Sequence, residues 1–255
     1  MLELYNFPPS TCSLKVRICL AEKGANWVDH RLDSRLGQHL RPEYLKLNPN
    51  GVVPTLVHDG NVIIDSSVIL EYLDEVFPEI SMTPDDPVLR AHMRKWLRYF
   101  EEIATPAVRY PSFNRVLIHA FRKLAKDKFE SVAKSRPLRK DFYLRMGQEG
   151  FDDAEIARAM EDIRNTIDRM ENALAGYGPW LLGAKYTLAD ICVAPLIDRI
   201  EDLGMEQIWE ENHPYVSSWF QRMKERPAYS EAYYVGARFS EIYPELQLGR
   251  STAPM

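Results

Sequence analysis

The sequence predicts an α/β unit over 1–78 followed by an all-α unit over 87–235, and three observations predict it. Up to residue 78, short apolar runs alternate with helical patterns in the order strand, helix, strand, helix, hairpin, helix. A polar, proline-rich connector at 79–86 then marks a boundary. Beyond it apolar residues recur at three-and-four spacing, as Leu89, Met93, Trp96, Leu97 and Phe100 do. Residues 236–255 read as a weakly patterned tail, disordered near its end.

Leu2 and Leu4 open an alternating strand that meets the Pro8-Pro9 break. A helix follows with Val16, Ile18, Leu20 and Ala21 among its apolar positions, and Gly24 stops it. Strand 27–32 and a short helix at 42–47 come next, closed by Asn48-Pro49-Asn50-Gly51. Strand 52–58 and its partner at 62–65 flank Asp59-Gly60, a strong hairpin signal. Ser66-Ser67 then opens a helix that ends before Pro78. In the second unit helices are expected at 88–104, 112–128, 153–174, 188–203 and 214–225, with 131–150 as a charged connecting region. Thr187 and Asp190 form a capping pair for the 188–203 helix.

With 32 Lys+Arg against 37 Asp+Glu, the net charge of −5 gives no general attraction to nucleic acid. Neither a long apolar run nor a basic-then-apolar N-terminus is present, so no membrane association is expected and the cytoplasm is the default. Three cysteines, Cys12, Cys19 and Cys192, make neither a disulfide framework nor a metal-ligand pattern. Cys19 and Cys192 fall in apolar helices and read as core residues.

Cys12 differs, because Ser10-Thr11-Cys12-Ser13 concentrates at a helix N-terminus. There, unpaired N–H groups and the positive end of the macrodipole stabilise an anion, a thiolate included. The same residues are also ordinary caps. Pro54, inside an apolar strand, belongs at an edge, at a strand start or in a cis bond. Asp65-Ser66 either caps its helix or receives a charged amino-acid end.

Val53-Pro54 before a hairpin, Asp65-Ser66 before a helix and the helical second half together resemble the glutathione S-transferase superfamily. Ser10-x-Cys12-x-x-x-Val16-Arg17 is similar to the zeta-class pattern and to related dehalogenases. The region between the fourth and fifth helices and Tyr186-Thr187-Leu188-Ala189-Asp190-Ile191-Cys192 resemble the bacterial β-etherase type. The resemblance implies a thioredoxin-like βαβαββα domain before a helical-bundle domain, a homodimer, glutathione as co-substrate and a small-molecule electrophile. It further implies that Val53 pairs its backbone with the cysteinyl part of glutathione beside a cis Pro54. Asp65 and Ser66 would hold the γ-glutamyl end, and Gln38 and His39 the glycyl end.

Ser10 or Cys12 is then the catalytic group beside the glutathione sulfur, Ser10 as hydrogen-bond donor or Cys12 as a second thiol. Tyr5, within the first strand, reads as packing. The expected activity is thiolate attack on an aromatic or ether electrophile. Alternatives are a zeta-like isomerase or reductive dehalogenase using Cys12, and a non-enzymatic glutathione-binding protein.

Overall fold

The computed structural model describes residues 1–248. Strand β1 (Leu2–Asn6) turns Leu2, Leu4 and Asn6 to the buried face and Glu3 and Tyr5 to the other, the period of two that a half-covered sheet imposes. It runs parallel to β2 (Trp27–Arg31) and antiparallel to β3 (Thr55–His58), which pairs with β4 (Asn61–Ile64), giving the order β2-β1-β3-β4. Leu4 sits between Asp29 and Leu56 in this register. Strand β3 begins at Thr55 rather than 52 because Pro54, on a cis bond to Val53, has no N–H for the ladder. Asp59 and Gly60 both have positive φ, as the two-residue hairpin turn requires.

Helices α1 (Thr11–Glu22), α2 (Pro42–Leu47) and α3 (Ser66–Val76) complete a thioredoxin-like βαβαββα domain. Every residue of α1 from Ser13 to Leu20 is buried, since it lies between α3 and the second domain. The chain leaving α3 is tethered rather than loose. Lys23 Nζ donates to Asp74 and to the carbonyls of Phe77 and Ile80 at 2.5–2.6 Å.

The second domain starts with one unbroken helix across 87–122 where two separate helices were expected. It comprises α4 (Pro87–Tyr99), α5 (Thr105–Ser112) and α6 (Ile118–Arg122), joined by π-helical turns at Phe100–Ala104 and Phe113–Leu117. Pro106 and Pro111 lie between these turns. A proline lacks a donor and crowds the carbonyl four residues back. At the ends of the π turns, Thr105 and Ile118 donate instead to carbonyls five residues back, Phe100 and Phe113, so the rod widens instead of ending.

The region read as a charged connector folds too. Helices α7 (Lys126–Lys134) and α8 (Lys140–Met146) enclose a small separate core of Ile118, Phe129, Ala133, Tyr143, Met146 and Phe151. The long α9 (Asp153–Tyr177), the central α10 (Leu188–Asp202), the short α11 (Gln207–Glu210) and α12 (Pro214–Lys224) follow. Asp190, buried in α10, accepts from Thr187 N–H, Leu181 N–H and Trp219 Nε1 at 2.9–3.1 Å, so it ties the helix start to two neighbouring elements. Burial raises its pKa, with those bonds opposing.

The stretch after residue 226 is folded against the rest of the chain: α13 (Pro227–Ala232) packs on α1, and α14 (Phe239–Ile242) starts on the Asp202 carboxylate. Residues 249–255, the end of the expected tail, lie outside the described residues. Leu4, Val16, Ile69, Met93, Ile167 and Trp219 belong to one core, which therefore spans both domains.

Candidate active site

The turn from β1 into α1 is fixed before any ligand arrives. Ser10 caps α1, its Oγ accepting from Ser13 N–H at 3.3 Å, and Ser13 Oγ in turn accepts from Phe7 N–H. Arg17 Nη2 and Arg199 Nη2 donate to the carbonyls of Pro8 (2.8 Å) and Pro9 (2.5 Å), so both prolines of the break are held by buried guanidinium groups. The N–H groups of Thr11 and Cys12 have no intrahelical acceptor, as in any first turn. Cys12 is a free, half-buried thiol.

One turn on, Lys15 is fully buried. Its Nζ donates to Glu101 Oε1 (2.5 Å) and Thr105 Oγ1 (3.2 Å), both on the rod at 87–122, Glu101 within the first π turn. Burial pulls the Lys15 pKa down, but its polar surroundings, the hydrogen-bonded Glu101 carboxylate among them, outweigh it and hold the ammonium above its ordinary range. Cys192 approaches Glu101 Oε1 at 3.7 Å, and burial pushes its thiol up to about 12. Ser66 Oγ donates to the same Glu101 oxygen at 3.4 Å. Glu101 thus links the opening turn of α3 to α1.

Asp65, before α3, has φ 74° and ψ 123°, a conformation costing a non-glycine residue about 1–3 kcal/mol. Its Oδ1 alone takes the Ser67 N–H, Ser67 Oγ and Val68 N–H, while Asp65 itself is exposed. Val53 and Pro54 form the cis bond just before β3, and Tyr44 and Asn48 anchor the adjoining Val52 carbonyl at 2.5 and 2.9 Å. Gln38 Oε1 accepts from Asp33 N–H at 2.6 Å, bracing its own loop. His39 is buried edge-on to Phe7 with Nε2 against Arg136 Nη1 at 2.9 Å; burial, then Arg136, lowers its pKa to about 4. Tyr5 stacks on His30 at 4.3 Å, on the face of β1 opposite Leu4.

Sequence reasoning missed Lys15, Glu101, Arg17 and Arg199. The available signal was the run Leu14-Lys15-Val16-Arg17-Ile18, two cations inside a helix apolar on all sides, which demands buried partners. Nothing local names those partners. Arg17 finds Asn6 Oδ1 (2.9 Å) and the Tyr234 hydroxyl (2.6 Å), the latter 217 residues away.

Known proteins share this sequence pattern and fold. Residues 9–76 match the family model for the glutathione S-transferase N-terminal domain, and 153–222 that for the C-terminal domain. The protein LigF of Sphingobium sp. (strain NBRC 103272 / SYK-6) is 31% identical over 91% of this chain and 93% of its own length. The crystal structure of β-etherase LigF superimposes with a TM-score of 0.84 at 30% identity, covering 91% of this chain and 98% of that one. The tetrachloro-p-hydroquinone reductive dehalogenase of Sphingobium chlorophenolicum is 29% identical over 91% of this chain and 95% of its own. The chain belongs to the glutathione S-transferase family, whose co-substrate is glutathione.

Proposed function

We propose that this protein is a glutathione transferase in which Ser10 and the first turn of α1 hold the glutathione sulfur as a thiolate for attack on a small aromatic or ether electrophile. The observation that carries this reading is the Ser10 cap. Because Ser10 Oγ accepts the Ser13 N–H, its own proton is free to point away from the helix, toward an incoming sulfur. That hydrogen bond is charge-assisted, and the Thr11 and Cys12 N–H groups add to it. A thiol of pKa about 8.5 is only a few per cent ionised at neutral pH. Lowering it by about two units takes roughly 2.7 kcal/mol. The thiolate then bonds to the electrophilic carbon, the leaving group departs with the bonding pair, and the thiol proton goes to solvent.

Glutathione would lie with its cysteinyl amide along the Val53 backbone beside Pro54. Its γ-glutamyl ammonium would meet the unused Oδ2 of Asp65, and its carboxylate the α3 N-terminus at Ser66. Its glycyl end would approach Gln38 and His39. The exposed apolar residues Val68, Val88 and Leu89, on α3 and α4, support a homodimer as the working unit. Three free cysteines suit the reducing cytoplasm.

A second reading rests on Cys12, a free, half-buried thiol in the first turn of α1. Its thiolate would attack the sulfur of a glutathione conjugate, releasing the organic fragment to take up a proton. A second glutathione would then displace the mixed disulfide as oxidised glutathione. Separate Ser10→Ala and Cys12→Ser variants, assayed for conjugate and for oxidised glutathione, test the two. Ser10→Ala cutting conjugation by about 10–100-fold while Cys12→Ser spares it supports the first reading. The reverse, with oxidised glutathione among the products, supports the second. Activity unchanged in both variants refutes both.

A further inference from the structure

Beside the Cys12 turn stands a group of arginines without counter-ions. Arg109 lies on α5 one turn beyond Thr105, the residue that receives Lys15, and Cys12 and Lys15 share a face of α1 three residues apart. Cys12 and Arg109 thus each lie one turn from the Lys15–Thr105 bond that joins the two helices, and Cys12 acts electrostatically on Arg109. Arg109 is half-buried, with its guanidinium over the Phe142 ring at 5.5 Å. Burial, with Arg139 facing it, brings its pKa down to about 10. Arg136 lies over the Tyr143 ring at 4.0 Å, and Arg109, Arg136 and Arg139 all act electrostatically on that buried phenol.

Among the described residues no carboxylate pairs with Arg109, Arg136 or Arg139. Glu101, which acts electrostatically on Arg109, is already bound by Lys15, whereas Arg145 on α8 has Glu155 at 2.7 Å. Like charges held together away from water are unfavourable until an anion joins them. A guanidinium fork matches a carboxylate in geometry as well as charge. Phe142, only partly buried, adds aromatic surface for a planar group.

We propose that the electrophile carries a carboxylate, bound by Arg109 and Arg139 while its reactive carbon faces the α1 turn. This assignment rests on the glutathione-dependent reading above. The glycyl carboxylate of glutathione has the same chemistry, so the test separates the two sources.

The probes are glutathione itself, S-(4-carboxy-2-nitrophenyl)glutathione and the methyl ester of that conjugate, each titrated calorimetrically into the full-length protein. The wild type binds the acid conjugate about tenfold or more tighter than the ester, the scale of one charge-assisted hydrogen bond. Arg139→Gln and Arg109→Gln each erase that preference while glutathione affinity stays within about twofold, because neither arginine is among the groups proposed to hold the tripeptide. A thermal melt confirms folding, and Arg139, away from the α1 contact, is the safer variant. Equal binding of acid and ester by the wild type overturns the proposal. A fall in glutathione affinity that matches the fall for the acid conjugate also overturns it, because the arginines then serve the tripeptide. Failure of glutathione and both conjugates to bind removes the underlying transferase reading and this inference with it. Glutathione binding with acid–ester parity removes the inference alone.

Discussion

Two helix starts meet near Glu101, and they are capped in opposite ways. Helix α1 is capped by a neutral hydroxyl, Ser10, with Lys15 one turn inside. Helix α3 is capped by a carboxylate, Asp65, held at positive φ. A neutral cap leaves the dipole and the free N–H groups of α1 open to an anion. The acidic cap on α3 takes the Ser67 and Val68 N–H groups, leaves the Ser66 N–H for a carboxylate and keeps one carboxylate oxygen for a cation. Two copies of one local motif thus make sites of different preference, one for a lone anion and one for a zwitterionic amino-acid end, and Glu101, bonded to Lys15 and Ser66, holds them side by side.

Cutting that tie has the largest expected effect. Glu101→Ala strands the fully buried Lys15 ammonium and lowers unfolding free energy by about 3–5 kcal/mol, the cost of breaking a buried pair. Denaturant titration measures it. Adding Lys15→Met to Glu101→Ala recovers part of the loss, and a double variant no better than the single one would deny that the pair is coupled.

Acid acts next, through His39 against Phe7, just before the turn into α1. His39 is held neutral, with its pKa lowered to about 4 from about 6.5 when unfolded. Below pH about 6.5 the unfolded state takes up a proton that the native state refuses, so stability falls until about pH 4 and levels there, by about 3 kcal/mol at most. In His39→Gln this slope between pH 6.5 and 4 flattens. An unchanged slope would place the acid sensitivity elsewhere.

Substitutions at the caps have smaller effects. Ser10→Ala cuts kcat/KM for conjugation by about 10–100-fold, the loss of one charge-assisted hydrogen bond, and costs about 1 kcal/mol of stability as a lost cap. Asp65→Asn keeps the cap but loses the charge, so KM for glutathione rises by about tenfold with stability nearly unchanged. If Asp65→Asn instead lowered kcat and left KM alone, the division of roles between the two helix starts would be wrong.

Both caps were legible in the sequence because their signals are local: Ser10 and Asp65 each precede an apolar run, and Asp59-Gly60 fixes the hairpin between them. The destinations of Lys15 and Arg17 were not legible, since Glu101 and Tyr234 lie 86 and 217 residues away. Residues 105–111, with Pro106 and Pro111, fall between the two expected helices, yet the π turns let one helix continue through them. Phe142, Tyr143 and Met146 were hidden among the charges of 136–145, whose outward faces dominate the local pattern, although they build a core of their own. The segment after 226 shows weak periodicity because its helices, of 6 and 4 residues, are too short for a repeating apolar stripe, although Ala228, Tyr229, Ala232 and Phe239 are buried.

The central claim, that the α1 start ionises glutathione, is tested most directly by titrating the bound thiol through its ultraviolet thiolate absorbance in the wild type and in Ser10→Ala. The account predicts a bound thiol titrating about two units below its free value, with most of that shift lost in Ser10→Ala. A bound thiol that titrates as it does in free solution, or a depressed value that survives in Ser10→Ala, would contradict it.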